Sequence, residues 1–341
     1  MLNPELKLNP KIFDKDVEKV PIRKGFGDGL LIAGDSDKNV VGLCADLTES
    51  TQMHLFKKKY PDRFIEIGVA EQNLASVASG MAAMGKIPFI TSYAMFSPGR
   101  NWEQIRTTIC YNNRPVKIAG SHAGISVGPD GGTHQAIEDI AITRVIPRMV
   151  VISPCDAIEA RKATMTCAKT ADPTYLRLAK QNTPILTTDA TPFSIGKAQV
   201  YWRPDFNEGG AGKNSKISDV LIIATGALLH KALIAAKILE ESKKILVTVI
   251  NVPTIKPLDE DLIWREAMKS KAVVTVEEHQ IAGGLGGAVS ECLVKHFPVA
   301  MEFVGVRDEF GQSGTPEELL KHYGMEVDDI VKAVEKVKVR K

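Results

Sequence analysis

Two segments of this 341-residue chain combine ionisable side chains with glycine in a way that suits chemistry on a small ligand. Residues 120–135 place His122, Asp130 and His134 among five glycines, and residues 68–73 set Glu71 in an otherwise uncharged run. Imidazole can donate or accept a proton near neutral pH, and a carboxylate in an apolar pocket holds a proton more readily than one in water. Because glycine lets the backbone approach a ligand closely, these segments predict an active site.

The elements that must position these residues alternate along the chain. Short apolar strands are predicted at residues 40–45, 64–67, 87–91, 116–120, 149–152, 220–224, 245–251 and 272–277. Helices are predicted between them at residues 23–33, 71–84, 135–143, 227–241 and 286–297. This alternation is typical of parallel sheets covered by helices.

A polar, glycine-rich stretch at residues 204–214 interrupts the alternation and indicates a linker. We therefore predict an α/β protein of two domains, each a mostly parallel sheet covered by helices. The predicted division is an N-terminal arm (1–19), a first domain (20–190), a connecting segment (191–217) and a second domain (218–341).

Composition excludes several classes of protein. A net charge of +2 gives no electrostatic footprint for nucleic acid, and the five cysteines are too scattered for a disulfide framework or a zinc ribbon. The polar N-terminus lacks the apolar core of a signal peptide, and no apolar run approaches the length that spans a bilayer. We expect a soluble, cytoplasmic protein without membrane or nucleic-acid partners and without a metal site of its own.

The motifs resemble those of transketolase, a thiamine-diphosphate enzyme, over roughly residues 20–335. The resemblance rests on residues 63–73, on the glycine-rich segment with the Glu138-Asp139 pair that follows it, and on residues 43–48. In the second domain it rests on residues 254–259 and 276–279. It implies a pyrimidine-binding domain followed by a transketolase C-terminal domain.

The resemblance assigns the cofactor-binding residues. Glu71 is expected to share a proton with N1′ of the aminopyrimidine, although a glutamate at a helix N-terminus is also favoured by the helix dipole. An aromatic ring stacks on the pyrimidine in the family, and Phe96 and Tyr93 compete for that role. Asp46 is expected to line the cofactor site, with capping of a turn as the alternative.

The resemblance also assigns substrate-binding residues. His122, Asp130 and His134 are expected to contact the sugar, with the two histidines catalytic and His122 nearer the substrate phosphate. Arg23 and Ser50 match phosphate-binding positions. The family expects a further arginine where this chain has Lys180, which offers a point charge without the bidentate fork of arginine. Arg177 is an alternative that strand alternation makes awkward.

The family's diphosphate-binding domain is missing from the resemblance. Residues 27–29 spell Gly-Asp-Gly, the start of the family's metal-binding motif, but no apolar strand precedes them and no suitable asparagine follows. The expected Mg²⁺ ligands therefore belong to a partner, an N-terminal transketolase subunit. Because the cofactor lies between chains in this family, an α₂β₂ assembly is expected.

The resemblance thus predicts the C-terminal subunit of a split transketolase. Such an enzyme would move a two-carbon ketol unit from a ketose phosphate to an aldose phosphate, a reaction of the pentose phosphate pathway. Related enzymes are alternatives: 1-deoxy-D-xylulose-5-phosphate synthase, and the E1 β subunit of a 2-oxoacid dehydrogenase, which lacks the Asp-Gly-x-Thr-His loop. A non-enzymatic regulatory relative is a further alternative, against which the intact Glu71, His122, Asp130 and His134 argue.

Overall fold

A computed structural model describes residues 1–204 and 218–340 of the chain. The predicted linker at residues 204–214 therefore lies outside the described residues from residue 205 onward. Two sheets organise the described residues, one in each half of the chain, and a pair of short strands joins the N-terminal arm to the first half.

The strands are numbered in the order in which they follow one another along the chain. They are β1 (Lys19–Pro21), β2 (Val40–Cys44), β3 (Phe64–Glu66), β4 (Ile87–Tyr93), β5 (Lys117–Ser121), β6 (Val150–Ile152), β7 (Thr174–Leu178), β8 (Asn182–Pro184), β9 (Gln199–Trp202), β10 (Ser218–Ala224), β11 (Val247–Asn251), β12 (Thr254–Lys256), β13 (Ser270–Gln280) and β14 (Ala300–Val306).

The helices fill the connections between strands. They are α1 (Ile22–Ser36), α2 (His54–Lys59), α3 (Glu71–Ala83), α4 (Trp102–Gln104), α5 (Asp139–Arg144), α6 (Ala157–Cys167), α7 (Leu229–Lys243), α8 (Glu260–Ala267), α9 (Leu285–His296), α10 (Pro316–His322) and α11 (Val327–Lys338). A π-helical segment, Ile105–Tyr111, continues α4, and short 3₁₀ turns lie at Pro4–Leu6, Pro61–Arg63, Ile125–Val127 and Gly226–Leu228.

The first sheet has the strand order β12-β6-β7-β5-β4-β2-β3, and every pairing in it is parallel except that of β12 with β6. The second sheet has the order β14-β13-β10-β11-β9 and is parallel except for the edge strand β9. The central strands are buried along their whole length, as expected for sheets covered on both faces. The predicted α/β fold is confirmed.

The topology brings the predicted site residues to one edge of the first sheet. Tyr93 ends β4 and His122 follows β5, the strand next to it. Asp46 follows β2, Lys180 follows β7, and Glu71 opens α3. Because carboxyl ends of parallel strands meet at the same edge, residues far apart in sequence become neighbours there.

Three segments differ from the sequence prediction. The helix predicted at residues 135–143 begins only at Asp139, because the Gln135 side chain donates hydrogen bonds to main-chain oxygens of the preceding loop. The segment expected to be a plain connection contains β9, which pairs with β11. Strand β12 follows the second domain's β11 in sequence, yet it extends the first sheet. None of the described helices is long and apolar enough to cross a bilayer.

Candidate active site

Glu71 is the buried acid of the site. It opens α3 with only 2% of its surface exposed, and the Ser92 hydroxyl donates to its Oε1 at 3.1 Å. Arg100, which is half exposed, lies 3.5 Å from Oε2. The pocket expected to be apolar therefore supplies two polar partners. Both hold the carboxylate in place, and Asn101 fixes the backbone of Glu71 by donating to its carbonyl at 3.0 Å.

Four rings form a continuous cluster beside Glu71. Tyr93 stacks on the imidazole of His122 with ring centres 3.9 Å apart, and it is parallel to Phe96 at 6.3 Å. The imidazole of His134 stands edge-on to Phe96 at 5.4 Å. Arg100 lies over the Phe96 ring at 5.0 Å, so this guanidinium links the ring cluster to the Glu71 carboxylate.

His122 is a buried, neutral imidazole. Burial, followed by the positive charges of Arg23 and Lys180 and by His134, lowers the pKa of His122 to about 3. Its Nε2 lies 3.5 Å from Arg23 and its Nδ1 lies 2.8 Å from the Ser121 hydroxyl. Because arginine can only donate, Nε2 accepts and the proton is on Nδ1. His122 has a φ of +57°, a strained conformation typical of functional positions.

We expect this buried imidazole to make the isolated chain less stable in acid. The folded pKa of about 3 lies below the ordinary value of 6.5, so the unfolded chain binds more protons between those two pH values. Stability therefore falls as pH drops through 6.5, by about 1 to 2 kcal/mol between pH 7 and pH 5. Urea unfolding at fixed protein concentration measures this loss. In His122→Asn the free energy of unfolding should fall by that much less between pH 7 and pH 5. An unchanged loss of stability would contradict the neutral, buried state assigned to His122.

The predicted substrate residues lie around this cluster. Lys180 is 3.2 Å from the Asp130 carboxylate and donates to the carbonyl of Val127 at 3.0 Å, so its charge is bound to the glycine-rich loop. Arg23 donates to the main-chain oxygen of Ser50 at 2.5 Å. Arg23 thereby joins the Ser50 turn to His122.

Two further residues behave differently from the rest. Arg177 is buried, and its Nε lies 2.8 Å from the Asp139 carboxylate. Its guanidinium is thus paired inside the protein, in agreement with the strand alternation that argued against Arg177 as a phosphate ligand. Asp46 is exposed at the turn after β2, with a φ of +57°, and its backbone N–H donates to Glu66 at 2.7 Å. The Asp46 carboxylate is left facing solvent at the sheet edge.

A cavity of about 710 Å³ opens beside the ring cluster, and its lining includes Met95, Phe96, Arg100, Thr133 and Phe310. Phe96 contributes to this wall, whereas the Tyr93 ring is stacked on His122. Phe310, which belongs to the second half of the chain, is 86% exposed at the rim. The cavity is thus shaped by both halves of the protein.

The residues at this cavity fit the pyrimidine half of thiamine diphosphate. An aminopyrimidine requires a carboxylate for N1′ and an aromatic face for the ring. Phe96 lines the cavity, and Arg100, which also lines it, joins the cavity wall to the buried Glu71 carboxylate. Among the described residues, one group of side chains could hold a metal ion, namely Glu260, Cys292 and His296 on α8 and α9.

The Gly-Asp-Gly lookalike at residues 27–29 is part of helix α1. Asp28 pairs with Lys24 at 2.7 Å, one turn away. A Cβ at Gly29 would lie 2.7 Å from the carbonyl oxygen of Arg161, so this glycine allows α1 to pack closely on α6. The motif packs helices and offers no metal site.

Sequence reasoning missed the residues that support the predicted ones. Ser92, Asn101 and Arg100 contact Glu71, and Gln181 donates to the carbonyl of Ser126 in the glycine-rich loop at 2.9 Å. Ser92 precedes Tyr93 at the end of β4, so its position at the carboxyl edge was a usable signal. No pattern in the sequence predicts the contact of Arg100 with Glu71, because the fold brings these two distant residues together.

Comparison with known proteins identifies the two halves. The family described as "Transketolase, pyrimidine binding domain" matches residues 18–185, and "Transketolase, C-terminal domain" matches residues 209–330. A protein of Methanocaldococcus jannaschii whose name describes a transketolase C-terminal section is 42% identical over 92% of this chain and 95% of its own length. The 6-deoxy-6-sulfo-D-fructose transketolase subunit of Clostridium sp. (strain MSTE9) is 38% identical over 96% of this chain and 98% of its own length.

A solved structure described as an inactive β4 tetramer of a split-gene transketolase has a TM-score of 0.83 and 40% identity to this chain. The match covers 94% of this chain and 98% of the other. These relatives carry transketolase names, which favours that interpretation over the synthase and the dehydrogenase subunit. The chain belongs to the transketolase family and comprises its pyrimidine-binding and C-terminal domains.

Proposed function

We propose that this chain is the catalytic C-terminal subunit of a split transketolase that acts in the cytoplasm. It would transfer a two-carbon ketol unit from a ketose phosphate to an aldose phosphate, as in the pentose phosphate pathway. We assign residues 20–190 to the pyrimidine-binding domain and residues 218–341 to the C-terminal domain. The observation that carries the proposal is the buried Glu71 carboxylate, 3.5 Å from Arg100, which lines the same cavity as Phe96.

Thiamine diphosphate, when bound, supplies a carbon nucleophile and an electron sink for the ketol unit. This chain's residues prepare the pyrimidine. Glu71 would share a proton with N1′ of the pyrimidine, while Ser92 at 3.1 Å and Arg100 at 3.5 Å fix the carboxylate in position. Phe96 would offer the ring face, because Phe96 lines the cavity and Tyr93 does not. Asp46 lies at the same sheet edge and would contact the cofactor near the subunit boundary.

The sugar would lie over the ring cluster. His134 would exchange protons with substrate hydroxyls, and the neutral His122, whose Nδ1 proton is directed at Ser121, would accept a hydrogen bond at Nε2. Asp130 accepts a hydroxyl hydrogen bond. Arg23 provides positive charge for the phosphate beside the Ser50 turn, and Lys180 adds a point charge 3.2 Å from Asp130.

A partner subunit would complete the site. We assign the diphosphate and Mg²⁺ to an N-terminal transketolase subunit in an α₂β₂ assembly, as the resemblance of this chain to only two of the family's domains implies. Two relatives support this assignment. One is named as a C-terminal section, and the split-gene structure of β chains without the other subunit is described as inactive.

The anionic group at the end of the sugar is the part of the substrate that this site specifies least. The Clostridium relative is named for a sulfonated fructose, and Lys180 stands where the family expects arginine. A compact ammonium group can pair with a phosphate or a sulfonate without requiring bidentate geometry. Activity assays should therefore include ketoses that end in either anion.

Calorimetric titration of thiamine diphosphate in the presence of Mg²⁺ tests the proposed division of the cofactor site. We expect saturable binding to the mixture of this chain with its N-terminal subunit. Neither subunit alone should bind comparably, because each holds one end of the cofactor. Binding of equal affinity to this chain alone would overturn the proposal.

A further inference from the structure

The glycine-rich loop is packed into the second domain as well as the first. Ile125 and Ile137 flank the loop and are buried at 0% and 1% exposure within the hydrophobic cluster of the second sheet. The Gln135 side chain donates to the carbonyl of Gln312 at 3.0 Å. The loop that carries Asp130 and His134 is therefore anchored on both domains.

One carboxylate of the second domain contacts this loop directly. Glu278, near the end of β13, is 4% exposed, and its Oε1 accepts a hydrogen bond from the backbone N–H of Ser126 at 2.6 Å. A Cβ at Gly124 would lie 2.4 Å from the same oxygen. Gly124 also has a φ of +90°. Because Gly124 has no side chain, the Glu278 carboxylate can lie directly against the loop backbone.

The first domain holds the same residue through its carbonyl. Gln181 donates to the carbonyl of Ser126 at 2.9 Å, and Lys180 donates to the carbonyl of Val127 at 3.0 Å. The N–H of Ser126 is fixed by one domain and its carbonyl by the other. The two contacts define the position of the loop four residues before Asp130.

Arg177 brings positive charge into the same network as Glu278. Arg177 donates to the main-chain oxygen of Glu278 at 2.8 Å and forms an ion pair with Asp139. Burial raises the pKa of Glu278, and the positive charge of Arg177 opposes that rise. The hydrogen bond from Ser126 favours the carboxylate as well.

We propose that Glu278 is a positioning residue, through which the C-terminal domain sets the place of Asp130 and His134 relative to the sugar. The inference rests on the proposed transketolase function and gives the C-terminal domain a part in substrate geometry. Glu71 and Phe96 belong to the first domain and lie outside the glycine-rich loop, so the acid and the ring assigned to the pyrimidine are not part of this contact.

Glu278→Leu in the reconstituted enzyme tests the proposal. We expect kcat/KM for the sugar to fall about tenfold, since small displacements of positioned groups have effects of this order or more. The dissociation constant of thiamine diphosphate should stay within about twofold of the wild-type value. Glu278→Gln keeps an oxygen for the Ser126 N–H and should restore most of the activity. Glu278→Asp places the carboxylate one methylene further from Ser126, so its kcat/KM should lie between those of the leucine and glutamine variants.

Glu277→Leu is the matched control from the same strand. Glu277 is equally buried, but its carboxylate accepts from the backbone of Leu285 and Gly286 at 2.7 Å, at the start of α9. We expect its loss to lower the melting temperature without lowering kcat/KM at 25 °C. Activity of the wild-type mixture establishes the proposed function separately. With that activity present, unchanged kcat/KM in Glu278→Leu, or equal losses in both leucine variants, would overturn the inference.

If Glu278→Leu does not fold, Glu278→Asp and Gly124→Ala carry the test. A methyl group at Gly124 would displace the same carboxylate from the loop's side, so we expect the same loss of kcat/KM with cofactor affinity retained. Wild-type kcat/KM in both of these variants would contradict a positioning role.

Discussion

Replacing Glu71 by glutamine should lower kcat of the reconstituted enzyme by about 100-fold or more. Glutamine has nearly the same shape and can still bond Ser92, so folding should be retained. It cannot share a proton with the pyrimidine, and that proton is the contribution we assign to this residue. Steady-state kinetics with saturating thiamine diphosphate measure the loss.

Glu241→Gln is a suitable control for the Glu71 variant, because it makes the same chemical change on an exposed glutamate of α7. Its kcat should equal that of the wild type. If Glu71→Gln kept more than about a third of wild-type kcat at saturating cofactor, the acid–base role of Glu71 would be wrong.

Replacing Arg177 by methionine should destabilise the chain by about 3 to 5 kcal/mol. The side chains of Arg177 and Asp139 are 7% and 1% exposed, and their contact is 2.8 Å. Without the guanidinium, the Asp139 carboxylate keeps only the Tyr175 hydroxyl, which donates to it at 2.6 Å. Urea unfolding of the isolated chain at pH 7 measures the change.

The double variant Arg177→Met/Asp139→Leu separates the ion pair from the rest of the network. We expect it to lose about 1 to 3 kcal/mol less than the sum of the single variants, because no charge is then left unpaired. Lys243→Met, which breaks an exposed ion pair with Glu335 at 2.6 Å, should cost less than about 1 kcal/mol. Additive losses for Arg177 and Asp139 would show that the two charges are not coupled.

Much of the fold could be predicted because its signals are local. Strands β2, β4 and β11 are apolar runs bounded by polar residues, and α3 ends where Gly85 adopts a φ of +84°. The late start of α5 could not be predicted from local sequence, because Gln135 is held out of the helix by its hydrogen bonds to carbonyls of the loop and of Gln312. The short strand β12 likewise depends on pairing with a distant partner.

The sequence indicated which residue types belong to the candidate site, and the fold shows which of them are neighbours. Phe96, His122 and His134 lie in one ring cluster, which Arg100 links to Glu71. The sequence could not show that Tyr93 would stack on His122, nor that Arg100 would reach Glu71. Side-chain contacts of this kind follow from the curvature of the sheet and the loops at its edge, which no single-residue pattern encodes.

The most direct test of the split-transketolase assignment is the activity of this chain alone, of its N-terminal partner alone, and of the mixture. Each would be assayed with thiamine diphosphate, Mg²⁺, an aldose phosphate acceptor, and ketose donors ending in phosphate or sulfonate. We predict ketol transfer in the mixture and none above background in either subunit alone. Full activity of this chain alone, or a mixture that forms a complex and transfers no ketol unit from any donor, would contradict the assignment.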